Sequence, residues 1–292
     1  MKLLLIGNKG QVGREVEQST ETAGDLVYGF DIDAIDITNR KEVFDLFSKF
    51  SSVDVVINAA AYTAVDKAET DKELAYAVNR DAVENLALAC KEYDLPLIHI
   101  STDYVFSGDK TSPYSEDDEV DPLGVYGKSK LQGEQLLFQS WDKAVVVRIS
   151  WVFGRYGNNF VKTIVRLAKE REQLSVVRDQ YGCPTPAADI ARVLLHIARK
   201  IEAGCDRWGI YHYCGAPVTN WYQFARKIID LASERVGLKI KQLNAITAAE
   251  YPTPAQRPMN SVLQVDKICH DYGIEQHDWM DYLKNVIAEI DL

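Results

Sequence analysis

The first thirteen residues constrain the fold of this chain more than any other stretch. Lys2-Leu3-Leu4-Leu5-Ile6 is a short apolar run, and Gly7-Asn8-Lys9-Gly10-Gln11-Val12-Gly13 follows it directly. A buried strand, a glycine-rich turn and then a helix is the setting in which such glycines carry meaning. Gly7 permits the tight turn, Gly10 lets backbone approach a pyrophosphate, and Gly13 lets the helix pack closely on the strand. The phosphates would sit at the helix N-terminus, where unpaired N–H groups point outward. The spacing is not G-x-G-x-x-G, and a plain turn is the competing reading.

Such an opening calls for strands and helices in alternation, and the sequence supplies them. Leu26-Val27-Tyr28-Gly29-Phe30-Asp31 reads as a second strand ending in a carboxylate. Asp31 falls about 20 residues after the glycines, where an acid can bond an adenine-ribose hydroxyl. Asp33 and Asp36 are rivals for that role, and a turn residue is the plain alternative. Asp36-Ile37-Thr38-Asn39 offers caps for a helix through Phe50. Val53 to Asn58 is a third strand, apolar enough to be covered on both faces. Ala59-Ala60-Ala61-Tyr62-Thr63 follows, with small residues that let a flat ligand approach the backbone, and then one long helical pattern to about Tyr93. Pro96 to Ile100 is the fourth strand and opens onto Ser101-Thr102-Asp103; Ala144 to Ser150 is a further strand. Ligands of open α/β sheets gather at the carboxyl ends of strands, so Thr102 can offer a hydrogen bond to a substrate carbonyl, or simply cap a turn. This alternation predicts a doubly wound parallel sheet over 1–150.

Beyond Ser150 the pattern changes. Helices are predicted from Asn158-Asn159-Phe160 to about Glu172, and at 187–203, 220–234 and 278–290. Polar turns lie at Asp179 to Thr185 and around Arg257-Pro258-Met259-Asn260-Ser261. A second, smaller, mixed α/β lobe over 151–292 is expected to cover the cleft, with some of its segments returning to the first domain. Trp151, just past a strand end, is placed either to pack on a sugar ring or to act as a hinge between the lobes.

The candidate for chemistry is Val125-Tyr126-Gly127-Lys128-Ser129-Lys130. Of fifteen tyrosines, only Tyr126 has a lysine four residues later. The two stand one turn apart on one helix face. A charged Lys130 favours the phenolate and would lower a phenol pKa that starts near about 10. A phenol so placed can give a proton to a carbonyl. A chance pair on a solvated face is the competing reading.

The net charge of −10 argues against a nucleic-acid partner. Five scattered cysteines without C-x-x-C spacing read as reduced thiols, and five histidines without H-E-x-x-H give no case for a metal. No apolar run approaches about 18 residues, so neither a membrane nor a leader is expected, and the compartment is expected to be cytoplasmic.

Taken in order, the glycine turn, the Ser101-Thr102 strand end and the Tyr126/Lys130 pair resemble the extended short-chain dehydrogenase/reductases over essentially the full length. Within that family the likeness is to the branch that acts on dTDP-4-dehydro-β-L-rhamnose. It rests on Asn58-Ala59-Ala60-Ala61-Tyr62-Thr63-Ala64-Val65-Asp66, Ser101 to Phe106, Ser150-Trp151-Val152-Phe153, Gly157-Asn158-Asn159-Phe160 and Arg257-Pro258. The resemblance implies a Rossmann-like domain using NADPH or NADH, and reduction of the sugar's 4-keto group to give dTDP-L-rhamnose. Tyr126, Lys130 and Thr102 would be catalytic. Gly7, Gly10, Gln11, Val12, Gly13, Asp31, Asp36, Ile37, Ala61, Tyr62 and Thr63 would line the cofactor site together with Tyr126 and Lys130. Thr102, Asp103, Trp151, Asn159 and Arg257 would meet substrate. Some relatives dimerise through a magnesium site built from glutamates. Glu15 is present here, but Ala188 stands in the place of a second ligand, so the metal is not expected and a homodimer is left open. A reductase or epimerase of another nucleotide sugar, and a non-catalytic regulatory subunit of the same fold, are the alternatives.

Overall fold

A computed structural model describes residues 1–290. Six parallel strands form the main sheet in the spatial order Gly209–Tyr213, Ala144–Ile149, Leu97–Thr102, Val55–Asn58, Lys2–Ile6 and Leu26–Phe30. The strand Lys2–Ile6 explains how such a sheet holds together. Leu3 and Leu5 point into one core, Leu4 and Ile6 into the other, and all four are buried. Successive strand side chains face opposite sides, so a continuous apolar run is what a sheet covered on both faces requires. Full burial of each such side chain stabilises by about 1.5–3 kcal/mol.

The helices Gln11–Ala23 and Ala187–Glu202 cover one face. Arg40–Lys49, Ala82–Glu92 and Val125–Ser140 cover the other. After the second strand the chain crosses back over the first to form the third. Strand order thus reverses between Lys2–Ile6 and Val55–Asn58, and a crevice opens at their carboxyl ends.

A third core lies outside the sheet. It joins the helices Phe160–Glu170, Trp221–Ser233 and Trp279–Glu289 around Phe153, Phe224 and Leu283. A parallel pair, Gln173–Val177 with Gln242–Ile246, lies beside them.

The long helix expected to run to Tyr93 is instead broken. Short helices at Val65–Ala68 and Lys72–Tyr76 lead into a π-helical turn, Ala77–Asp81, before Ala82–Glu92. The turn has a purpose in packing. It aims the buried Asn79 out of the helix, where its side chain takes the Tyr62 N–H and donates to the Tyr62 carbonyl and to Ser129 Oγ. One widened turn therefore ties the Ala61-Tyr62-Thr63 segment to the Tyr126 helix.

Candidate active site

The glycine turn is held open by backbone crowding. Gly7 has φ +85°, and a Cβ there would lie 2.5 Å from the Ala60 nitrogen; one on Gly13 would lie 2.2 Å from the Gly7 oxygen. Any side chain would push the turn off the third strand or the helix off the turn. Gly10 caps the Gln11–Ala23 helix with no side-chain bond, which leaves the first-turn N–H groups of that helix facing the crevice.

The crevice is a cleft of about 840 Å³. It is lined by Gly7, Gly10, Gln11, Val12, Asp31, Asp36 and Ile37 around the glycine turn and second strand, by Thr102, Asp103, Tyr126, Lys130 and Trp151 around the fourth strand's end, and by Ala61, Tyr62 and Thr63, of which Tyr62 packs in the cluster of Tyr126. Three residues named from the sequence stand outside this lining. Gly13 acts through helix packing. Asn159 caps the Phe160–Glu170 helix through Lys162 N and donates to Gln11 Oε1 at 3.0 Å, so it braces the cleft from behind. Arg257 is held by Asp66 at 2.8 Å.

The far end of the cleft fits the adenosine half of a dinucleotide. Asp31 accepts from Lys9 N at 2.9 Å and Ile32 N at 2.8 Å, which fixes its carboxylate at the strand end. Asp36 closes its own turn, accepting from Thr38 N and Oγ1. The Lys9 ammonium, which could attract a phosphate, is paired with Asp33. Asp31→Ala should therefore weaken NADH more than NADPH, since the carboxylate can bond a ribose hydroxyl in one and faces a phosphate in the other. Equal losses, measured by titrating each nucleotide, would assign the reading to Asp36 or another residue.

At the near end, the Val125–Ser140 helix starts where the Glu69 carboxylate takes the Val125 N–H at 2.8 Å. A Cβ on Gly127 would lie 2.2 Å from the Tyr104 oxygen, so glycine is what lets this helix close on the strand end that carries Thr102. The Tyr126 ring meets the edge of Tyr104 at 5.6 Å. Thr102 Oγ1 accepts from Tyr104 N and donates to Asp103 Oδ1 at 3.0 Å.

The charges differ from the sequence expectation. Tyr126 is pushed up to about 12, by burial first, with Thr102 pulling down and the Asp103 charge pushing up. Lys130 is not among the causes. Its buried ammonium donates to the Ile100 carbonyl at 2.6 Å and lies 3.2 Å from His99 Nε2. Burial lowers Lys130 to about 8, against the opposing charge of Glu134. The expected lowering of the phenol is thus not present in this arrangement. A phenol that is to donate to a carbonyl oxygen needs its proton in place beforehand, so the raised value is compatible with that role. Burial also raises Asp103 to about 6.

Sequence reading missed the polar groups beneath this surface. Asn58, Asn79, His99, Glu134 and Arg148 are all buried. Their one visible signal was polarity inside otherwise apolar strands and helices.

A family model described as the RmlD substrate binding domain matches residues 1–292. The chain belongs to this family. The dTDP-4-dehydrorhamnose reductase of Aggregatibacter actinomycetemcomitans is 47% identical over 290 residues, covering 98% of each chain. A crystal structure of a dTDP-4-dehydrorhamnose reductase from Clostridium acetobutylicum superposes with TM-score 0.91 at 38% identity, covering 99% of each chain. That of the Bacillus anthracis enzyme, in complex with NADP, gives 0.90 at 34% identity over the same share. The RmlD family thus supplies full-length relatives with this fold.

Glu15, the glutamate weighed above as a metal ligand, is bound by Arg155 at 2.7 and 3.0 Å. Among the described residues, no group of three or more His, Cys, Asp or Glu could hold a metal ion. No described helix is long and apolar enough to cross a membrane.

Proposed function

We propose that this chain reduces the 4-keto group of dTDP-4-dehydro-β-L-rhamnose to give dTDP-L-rhamnose, with NADPH or NADH as reductant. One observation carries the proposal: Thr102 and Tyr126 share one end of a cleft whose other end is a glycine turn and the acid-tipped second strand. The chain matches proteins named as reductases of this sugar over nearly its whole length. The relative of known structure that holds NADP supports the cofactor.

The nicotinamide, when bound, supplies the hydride that the carbonyl carbon accepts. Tyr126 donates its phenolic proton to the carbonyl oxygen as charge develops there. Thr102 holds the same oxygen by a hydrogen bond once its hydroxyl proton turns from Asp103 Oδ1 to the substrate, while the Tyr104 N–H keeps the oxygen in place. Bonds to an oxygen that becomes negative only in the transition state lower the barrier rather than merely tightening binding. Lys130 is assigned the supporting role for Tyr126 that the sequence suggests, although in this arrangement its charge is not what sets the phenol's acidity. Gly7 and the first turn of the Gln11–Ala23 helix would receive the phosphates of the dinucleotide, and Asp31 its adenine ribose. Arg257, oriented by Asp66 and the Ala255 carbonyl, is the proposed contact for the nucleotide of the substrate. The five cysteines form no disulfide, which fits a reducing compartment, and we place the enzyme in the cytoplasm.

Trp151 is the proposed contact for the sugar ring. It has φ +47°, a left-handed conformation that costs a bulky residue energy. The conformation lays the indole flat against Trp221, ring centroids 3.5 Å apart, and over Gly182, where a Cβ would lie 2.5 Å from the ring. Both sequence-based roles therefore have support, since the residue lines the cleft and also packs on the outer core. Trp151→Ala should impair reduction of the dTDP-sugar while leaving NADPH affinity nearly intact. A free 4-keto sugar lacking dTDP should be turned over little, because binding energy from the nucleotide orients the reacting carbon. Comparable rates with the free sugar, or a Trp151 variant defective mainly in cofactor binding, would defeat this assignment.

A further inference from the structure

Beneath the cleft lies a buried polar chain of which the proposed chemistry uses only Lys130. Asn58 ends the third strand, His99 sits inside the fourth, and Lys130 reaches them from the Val125–Ser140 helix; each is 2% exposed or less. We propose that the Asn58–His99 pair is a positioning device that sets the charge state of Lys130 by presenting it with a hydrogen-bond donor. The proposal rests on the reading that Lys130 assists Tyr126.

Hydrogen-bond bookkeeping leads to it. The Ala60 N–H donates to Asn58 Oδ1 at 3.0 Å, which settles the two ends of the amide. The remaining amide nitrogen lies 3.0 Å from His99 Nδ1, and it can only donate. Nδ1 must then carry the lone pair, and the proton of the neutral ring sits on Nε2. Nε2 is 3.2 Å from Lys130 Nζ. An N–H facing an ammonium is a donor against a donor, whereas a neutral amine accepts it. The bond from Nζ to the Ile100 carbonyl serves either form. Protonating the ring does not relieve the conflict, because burial and then the Lys130 charge hold His99 well below its ordinary range.

The other groups around Lys130 do not cancel this effect. Glu134, one turn on along the same helix, favours the charged lysine, but its carboxylate is engaged by Arg148 from the fifth strand and by the Ser101 hydroxyl from the fourth. Tyr126, one turn back, holds its proton through the neutral range. Asn58 carries no charge. The lysine is already lowered by burial to about 8, so small changes in its partner move its titration across working pH. Above that value Lys130 is neutral and its help to Tyr126 is lost, which places an alkaline limb on the reductase rate.

Asn58→Asp tests the idea with almost no change of shape. One carboxylate oxygen still accepts from Ala60 N, while the other accepts from Nδ1–H and forces the opposite tautomer. The Nε2 lone pair then faces Lys130. Imidazole-nitrogen NMR of isotope-labelled histidine should find the proton on Nε2 in the unaltered protein and on Nδ1 in the variant. Labelled-lysine NMR should find Lys130 keeping its proton about one pH unit higher or more, and the alkaline limb moving with it. An Nδ1–H tautomer in the unaltered protein, or a flipped tautomer with no change in Lys130 titration, would overturn the proposal. So would an equal Lys130 shift in Asn58→Asp combined with His99→Phe, since the carboxylate charge alone would then explain it. A Lys130 shift without movement of the rate profile upholds the device and overturns only the reading that Lys130 assists Tyr126.

Discussion

Tyr126→Phe should lower kcat by on the order of 10²–10⁴ while nucleotide affinity holds. The substitution removes one oxygen. The ring still meets the edge of Tyr104 at 5.6 Å, and the helix start, made by the Glu69 carboxylate on Val125 N, is untouched. What disappears is the proton donor beside Thr102. Thr102 cannot replace it, because an aliphatic hydroxyl is a far weaker acid than a phenol. The loss should fall on kcat and kcat/KM together, since the interaction is made in the transition state. Steady-state turnover beside a fluorescence titration of NADPH separates the two. Activity within a few-fold of the unaltered protein would remove Tyr126 from the chemistry.

The second large effect is on stability. Glu134→Ala should destabilise the fold by about 3–5 kcal/mol, because it strands a buried guanidinium. Arg148 and Glu134 are each 2% exposed and meet in a two-pronged contact, Nε to Oε1 at 3.1 Å and Nη2 to Oε2 at 2.7 Å. Ser101 also donates to this carboxylate, and Arg148 lies over the Phe106 ring at 5.2 Å. The nearest alternative partner for Arg148 is His212, which burial and the Arg148 charge already push down to about 3. With the carboxylate gone, no anion compensates the cation. Changing both partners, Glu134→Leu with Arg148→Met, should cost less than the single change, since two burial penalties vanish together. Denaturant unfolding of the three variants decides it. A single-variant loss below about 1 kcal/mol would mean that water or another group reaches Arg148.

How much of this was legible beforehand depends on how local the signal is. The alternation of Leu3, Leu4, Leu5 and Ile6 between two cores follows from strand periodicity. The helix starts at Asn39 and Asn159 follow from side chains that cap the very next turn. Tyr126 and Lys130 were visible as a pair because four residues are one helical turn. The direction in which Lys130 acts was not, because its partners His99 and Ile100 come from another strand, some thirty positions earlier. The π-helical turn at Asn79 left no mark in the hydrophobic pattern, since a single widened turn shifts the apolar face without erasing it. The strand Gly209–Tyr213 was hidden for a different reason. It joins the sheet beside Ala144–Ile149 only through a long excursion, and its short mixed run carries polar His212 between two buried tyrosines.

Incubating the purified protein with dTDP-4-dehydro-β-L-rhamnose and NADPH, with NADH in parallel, tests the proposed activity most directly. Loss of reduced-nicotinamide absorbance should match, mole for mole, the appearance of dTDP-L-rhamnose, and the Tyr126→Phe protein should abolish nearly all of it. Conversion of the sugar without net consumption of nucleotide would point to an epimerase, and no conversion by a folded, NADPH-binding protein would contradict the assignment outright.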